Sequence, residues 1–416
     1  MKPACLNTGR FFYSSYLQYI SIAVNQMETL KRIQSIDLLR GLVMVIMALD
    51  HTREYFHISA MTANPLDPAS TTTALFFTRW ITHFCAPIFV FLSGLSACLS
   101  AQRNTPAQAS SFLFKRGVWL IVVEVVIVTF GLTFNPSYNW IILQVIWVIG
   151  WSMILLSIVS RISYKLVVYI GILLVAGHNL LNYMNLPEAG ASAIFIKVLF
   201  TAAGTLLPLD PTHLLGVFYA ILPWAGILFI GYGCGTWFKR GYPAFTRRKN
   251  LFFAGLALTA LFIILRLVNG YGDPSLRKDF PLDYQDVLSF LNTSKYPPSL
   301  LYFCMTIGPA LLFLAFWEST KNRFTKVISM YGSVPFFYYI LHFYLLHLLL
   351  VAAFFLTGHT SREIVQVPFY FRPEQFGFSL PVVYLIWLGV VVMLYQPCVW
   401  FKNYKATNKH WWLRYV

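Results

Sequence analysis

Asp50, His51 and Arg53 close one long apolar run, and Arg79 and His83 stand four residues apart near the start of the next. A neutral imidazole can take a proton, a carboxylate can orient it, and a guanidinium can hold negative charge. If the two runs are neighbouring antiparallel helices, His83 comes beside Asp50 and His51 at one depth. That set suits general acid–base chemistry, with His51 or His83 as base and Asp50 orienting the imidazole. Arg53 or Arg79 would then face a developing oxyanion. The plainer reading is that His51 and His83 only bond backbone carbonyls or interfacial water.

Asp37 and Arg40 form a second polar pair at the beginning of the first run, on one helical face because they are three residues apart. From Asp37 to His51 is about 21 Å of helix at 1.5 Å per residue. One helix would therefore show a polar cluster at each end.

Ionisable residues within apolar runs are costly to bury in a bilayer, so each is a candidate for function. Glu124 lies midway along the third run, where it needs a partner or a proton. His342 and His347 lie in the Tyr338–His347 stretch, and Tyr338 shares a helical face with His342. His178 reads as a helix-packing residue, and Trp140, Trp237, Trp411 and Trp412 as an interfacial belt. The cysteines (Cys5, Cys85, Cys98, Cys234, Cys304, Cys398) are scattered without a CxxC pair, so neither a disulfide framework nor a metal site is expected. No P-loop, dinucleotide fingerprint, GxSxG or HExxH occurs.

The elements that must position these residues follow from composition. Hydrophobic residues make up 58% of the 416 and charged residues 11%, with a mean hydropathy of +0.64. A soluble domain carries about 25% charged residues. The apolar blocks are each near the roughly 20 residues that a helix needs to cross a bilayer. Helices satisfy every backbone amide internally, and the alternation of a β-barrel is missing. The expectation is an all-α transmembrane bundle of about ten helices, with spans near 36–52, 74–100, 113–134, 139–160, 165–183, 214–237, 250–269, 298–317, 331–356 and 378–401.

Charge sets the orientation. Alternate connections gather 21 lysines and arginines against Glu28 and Glu318, whereas the other side holds nine bases and eleven acids. The basic side is cytoplasmic by the positive-inside rule, which places both termini there. The same bias explains the net charge of +16 without nucleic acid as a partner. The lipid bilayer is the partner implied, and a homo-oligomer is compatible with it. Residues 1–31 read as a lead, with Met27 the expected initiator, 32–402 as the transmembrane domain, and 403–416 as a basic, aromatic cytoplasmic tail. Residues 191–204 read as a short interfacial helix.

Two stretches carry a family resemblance. Arg32–Gly41 (RIQSIDLLRG), followed by Met47–His51 (MALDH), resembles the opening of the heparan-α-glucosaminide N-acetyltransferase-like family. So does Leu75–Gly94, which contains Arg79, His83 and Pro87. The stretches around Arg266–Pro274, Lys295–Tyr302 and Tyr338–His347 are similar to bacterial members of uncertain function. The resemblance runs from about residue 30 to the end and implies a membrane-embedded acyltransferase. It implies acetyl-CoA as cytosolic co-substrate, an amine or hydroxyl of an extracytoplasmic sugar or glycan as acceptor, and no metal.

On that resemblance Asp37 and Arg40 become candidates for the CoA phosphates, and Tyr338, His342, Arg266 and Lys295 for substrate contacts. The family's His-x-x-Trp-Asn-Gly stretch is absent, so its catalytic histidine has no counterpart by motif. The expectation is a plasma-membrane acetyltransferase. The rival is a transporter or flippase using the same charges as a substrate or proton path.

Overall fold

The computed structural model describes residues 34–318, 320–365 and 368–415. The expected lead, residues 1–31 with Met27, lies wholly outside these residues. The described residues are 69% helix and 4% strand. In chain order the helices are α1 (Gln34–Phe56), α2 (Thr73–Thr82), α3 (Cys85–Ala101), α4 (Pro106–Val123), α5 (Thr129–Thr133), α6 (Val145–Val159), α7 (Tyr164–Gly177), α8 (Gly190–Ile196), α9 (Ile221–Cys234), α10 (Ala244–Val268), α11 (Asp283–Leu291), α12 (Leu300–Phe316), α13 (Arg323–Ser333), α14 (Pro335–Leu356) and α15 (Leu380–Thr407).

Local chemistry sets several of the starts. Thr72 caps α2 by accepting the Leu75 N–H, and Ser299 caps α12 by accepting that of Tyr302. Thr105 and Gln108 form a capping box ahead of α4, with Pro106 at its first position.

Among the described residues, six helical stretches are long and apolar enough to cross a membrane: Thr73–Ala101, Tyr164–Tyr183, Ile221–Phe238, Ala244–Val268, Pro335–Leu356 and Leu380–Thr407. α10 and α15 keep broad apolar faces exposed, among them Phe253, Leu267, Leu385 and Val392, as lipid-facing helices do. α1 is the central post, buried on most of its circumference and packed against α3, α13, α14 and α15.

Two expected spans are corrected at their starts. Residues 139–143 and 214–217 do not begin helices. Trp140–Leu143 (β1) pairs in parallel with Leu214–Val217 (β3), and Thr205–Pro208 (β2) pairs antiparallel with β3. The fold is therefore helical with a small three-stranded sheet, not all-α. Short apolar runs rich in Ile, Leu and Val fit a buried strand as well as a helix, and only the distant partner strand decides between them. The 191–204 helix does form, as α8 with a wider turn over Lys197–Thr201.

Candidate functional site

The Asp50 end of α1 gathers side chains from six parts of the chain. Asp50 accepts from Arg53 at 3.3 Å and also from Arg79 of α2. Arg79 donates in addition to the Thr82 hydroxyl at 3.3 Å. The carboxylate thus fastens α2 to α1. It cannot also orient His51, because neighbouring residues on a helix diverge by about 100°. That part of the expectation is corrected.

His51 finds a different partner. Its Nδ1 lies 2.7 Å from Nε2 of His342 on α14, 291 residues away in sequence. Nδ1 of His342 lies 3.3 Å from the Tyr338 carbonyl, which can only accept. His342 therefore carries its hydrogen on Nδ1 and presents a bare Nε2. His51 must then donate from Nδ1, which leaves the lone pair on its own Nε2. Phe343 stacks on the His51 ring at 4.4 Å and fixes its plane.

His51 lines a small pocket of about 30 Å³, shared with Asp50, Thr82, Gln144, Tyr219, Lys295 and Tyr339. Tyr339 is 4% exposed and its hydroxyl has no partner among the described residues. The junction of β1 and α6 brings Gln144 to the wall. Its backbone N–H donates to Glu124 at 2.6 Å. Glu124 sits on a single wide turn (Glu124–Val128) linking α4 to α5, the kind of local π distortion that re-aims a side chain. Its second oxygen is buried and unpartnered among the described residues. Glu124 thus shapes the pocket wall through the backbone of Gln144.

The other sequence candidates fall elsewhere. His83 is 1% exposed, with both ring nitrogens unpartnered among the described residues, and it meets the Tyr302 ring edge-on at 5.4 Å. It does not line the pocket. Nor do Arg53 and Arg79, whose hydrogens point at Asp50. Tyr338 supplies the carbonyl that fixes His342.

Arg266 is corrected from substrate contact to fold element. It is 2% exposed and donates to the carbonyls of Ser275, Ser289, Phe290 and Asn292. Three of these lie at the C-terminal end of α11, where free carbonyls favour a cation.

The loop that follows Arg266 has a positioning task as well. Asp273 accepts from the N–H of Ser275 and of Ser294 and from the Ser299 hydroxyl, at 2.8, 3.0 and 2.6 Å. Burial raises its carboxyl pKa above the ordinary value. This knot anchors Ser294, next to Lys295, and so helps to place Lys295 at the pocket.

At the other end of α1, Arg40 donates to Asp37 at 3.3 Å, to the Gly332 carbonyl at 3.3 Å and to the Ser96 hydroxyl at 2.8 Å. Arg116 of α4 lies within electrostatic reach of Arg40, and its Nε is buried and unpartnered among the described residues. No cluster of His, Cys, Asp and Glu that could hold a metal occurs among the described residues.

Sequence reasoning missed Gln144, Tyr219 and Tyr339. Gln144 carried a signal, as an amide inside an apolar run. Tyr219 and Tyr339 are two among 24 tyrosines, with nothing local to mark them.

A family model described as the catalytic part of heparan-alpha-glucosaminide N-acetyltransferase matches residues 32–265, more than half of the chain. No match was found among curated proteins.

Proposed function

The chain belongs to the heparan-alpha-glucosaminide N-acetyltransferase family, and on that premise we propose that it moves acetyl from cytosolic acetyl-CoA to an amine or hydroxyl of an extracytoplasmic sugar or glycan. The observation that carries this reading is the His51–His342 pair, 2.7 Å apart, with His51 on the pocket wall. His51 Nε2 takes the proton from the acceptor as it attacks the acetyl carbonyl, and the CoA thiolate leaves. His342 acts as a positioning residue, holding the His51 tautomer through the Tyr338 carbonyl. The Tyr339 hydroxyl and the Gln144 amide are the free donors available to the oxyanion of the tetrahedral intermediate.

The protein would lie in the plasma membrane with about ten spans, both termini cytoplasmic, and the Asp37 end of α1 facing the cytoplasm. CoA phosphates would meet Arg116 and the basic residues near it, because Arg40 is already engaged by Asp37, Ser96 and Gly332. The pantetheine arm would span much of the roughly 21 Å to the pocket.

Incubation of the purified full-length chain with radiolabelled acetyl-CoA and a panel of amino sugars and envelope glycans tests the proposal. Covalent acetylated product supports it. Uptake into proteoliposomes without product selects a transporter instead.

A further inference from the structure

The charges at the pocket do not balance, and the excess resides on one residue. Asp50 is satisfied by Arg79 and Arg53, and Glu54 lies 3.5 Å from Arg53 with its side chain 34% exposed. Lys295 lies within electrostatic reach of Asp50 but has no carboxylate at ion-pair distance and no hydrogen-bond acceptor among the described residues. Its ammonium is bracketed by aromatic rings, 5.0 Å from the centroid of Tyr296 and 6.0 Å from that of Tyr219. Ring faces attract a cation but leave ammonium hydrogens free to donate. The other unengaged polar groups nearby, the Tyr339 hydroxyl and the Gln144 side chain, also offer hydrogens. The free lone pair on His51 is needed for the acceptor's proton.

Donors in a concave, partly desolvated site, with one positive charge uncompensated, call for an anion. We propose that the acceptor bears an anionic group, a carboxylate or a phosphate, close to the amine or hydroxyl that is acylated, and that Lys295 recognises it. This deepens the acetyltransferase reading and rests on it for the word acceptor. The charge preference itself can be measured without turnover. Lys295 is then a specificity residue, whereas His51 is the residue that touches the reacting atoms.

Glucose, glucuronate and glucose 6-phosphate share one ring and differ only at C6, so they form a matched set. Binding of each to the full-length chain in detergent is measured by calorimetry, and acetylation of each is followed in parallel. Glucuronate or glucose 6-phosphate should bind about tenfold or more tightly than glucose, the usual scale for a hydrogen bond to a charged group. Which of the two wins distinguishes carboxylate from phosphate. Lys295→Gln should erase the preference for the anionic sugars over glucose, and Lys295→Arg should keep most of it. Unchanged gel-filtration and melting profiles show that the variants fold.

Equal binding of the three sugars, or none, overturns the proposal. So does a Lys295→Gln variant that loses turnover on glucose as strongly as on the anionic sugars, since Lys295 would then serve the oxyanion. An anionic sugar that binds through Lys295 without being acetylated upholds this proposal and removes the acetyltransferase reading. Acetylation with no charge preference does the reverse.

Discussion

The two ends of α1 carry the same short pattern, Asp37-x-x-Arg40 and Asp50-x-x-Arg53, and each pair closes at 3.3 Å. Their surroundings differ. At the first end Arg40 reaches on to Ser96 and Gly332 and ties three helices together. There α1 and α13 cross in close contact: a Cβ on Gly41 would lie 1.9 Å from the Ile328 carbonyl oxygen, and one on Gly332 1.8 Å from that of Asp37. At the second end Arg79 joins Arg53 on Asp50, and the adjacent His51 is left lining a small pocket. An intramembrane ion pair is thus poor evidence of function by itself. What distinguishes the ends is what surrounds the pair: a lone pair on His51 and a free ammonium on Lys295 at a pocket, against a close helix crossing that Arg40 ties together.

The comparison can be broken most severely at His51. His51→Ala should lower acetyl transfer by about 10²–10⁴-fold, the scale of positioned proton transfer. Donor affinity should change little, because the CoA phosphates would dock about 20 Å away. His342→Ala should lower turnover by a smaller factor, since it removes the orienting partner and leaves the base. Equal activity of His51→Ala and parent would end the equivalence of this end with a reaction centre.

The helix crossing offers the next largest effect, on stability. Gly332→Ala should lower the stability of the chain by about 1–3 kcal/mol or more, because the new methyl meets backbone that cannot step aside. Thermal unfolding in detergent reads this. Asp37→Asn and Arg40→Gln should each cost about 1–3 kcal/mol, and the double change less than their sum, as expected of a partly buried pair. Additive losses would mean that the two residues act apart.

His83 sharpens the contrast within one end. His83→Phe should keep turnover within a few fold, because the ring is sealed against Tyr302 and makes no hydrogen bond among the described residues. A loss matching that of His51→Ala would restore His83 as a base.

The smallest effect concerns the loop that leads into β3. Asp210 beside His213 raises the imidazole pKa above its ordinary 6.5, chiefly through their hydrogen bond at 2.7 Å. A His with a raised folded pKa lends its full contribution below pH 6.5 and loses it as pH rises through the raised value. Hydrogen exchange of residues 205–217 should therefore show more opening, corrected for intrinsic rate, above that value than below it. A pH-independent opening would show that the pair is only a surface contact.

Much of this was legible in the chain. The apolar blocks, the low charge content and the polar ends of α1 follow from residue type and local spacing, because bilayer thickness and helical rise are fixed quantities. Asp50, His51 and Lys295 were all legible as candidates, the first two from the cost of burying them. Their partners were not. His342 meets His51 from 291 residues away, and the intervening fold determines whether two histidines face each other or, like His83, a tyrosine. The strand at Trp140–Leu143 likewise needed Leu214–Val217 to exist beside it. By itself the sequence determined that the chain is built from apolar helices and which polar groups it must bury, since both rest on local transfer energies. Only the tertiary structure decided which of those groups are satisfied and which are left facing a cavity, because pairing depends on the angle and depth at which distant segments meet.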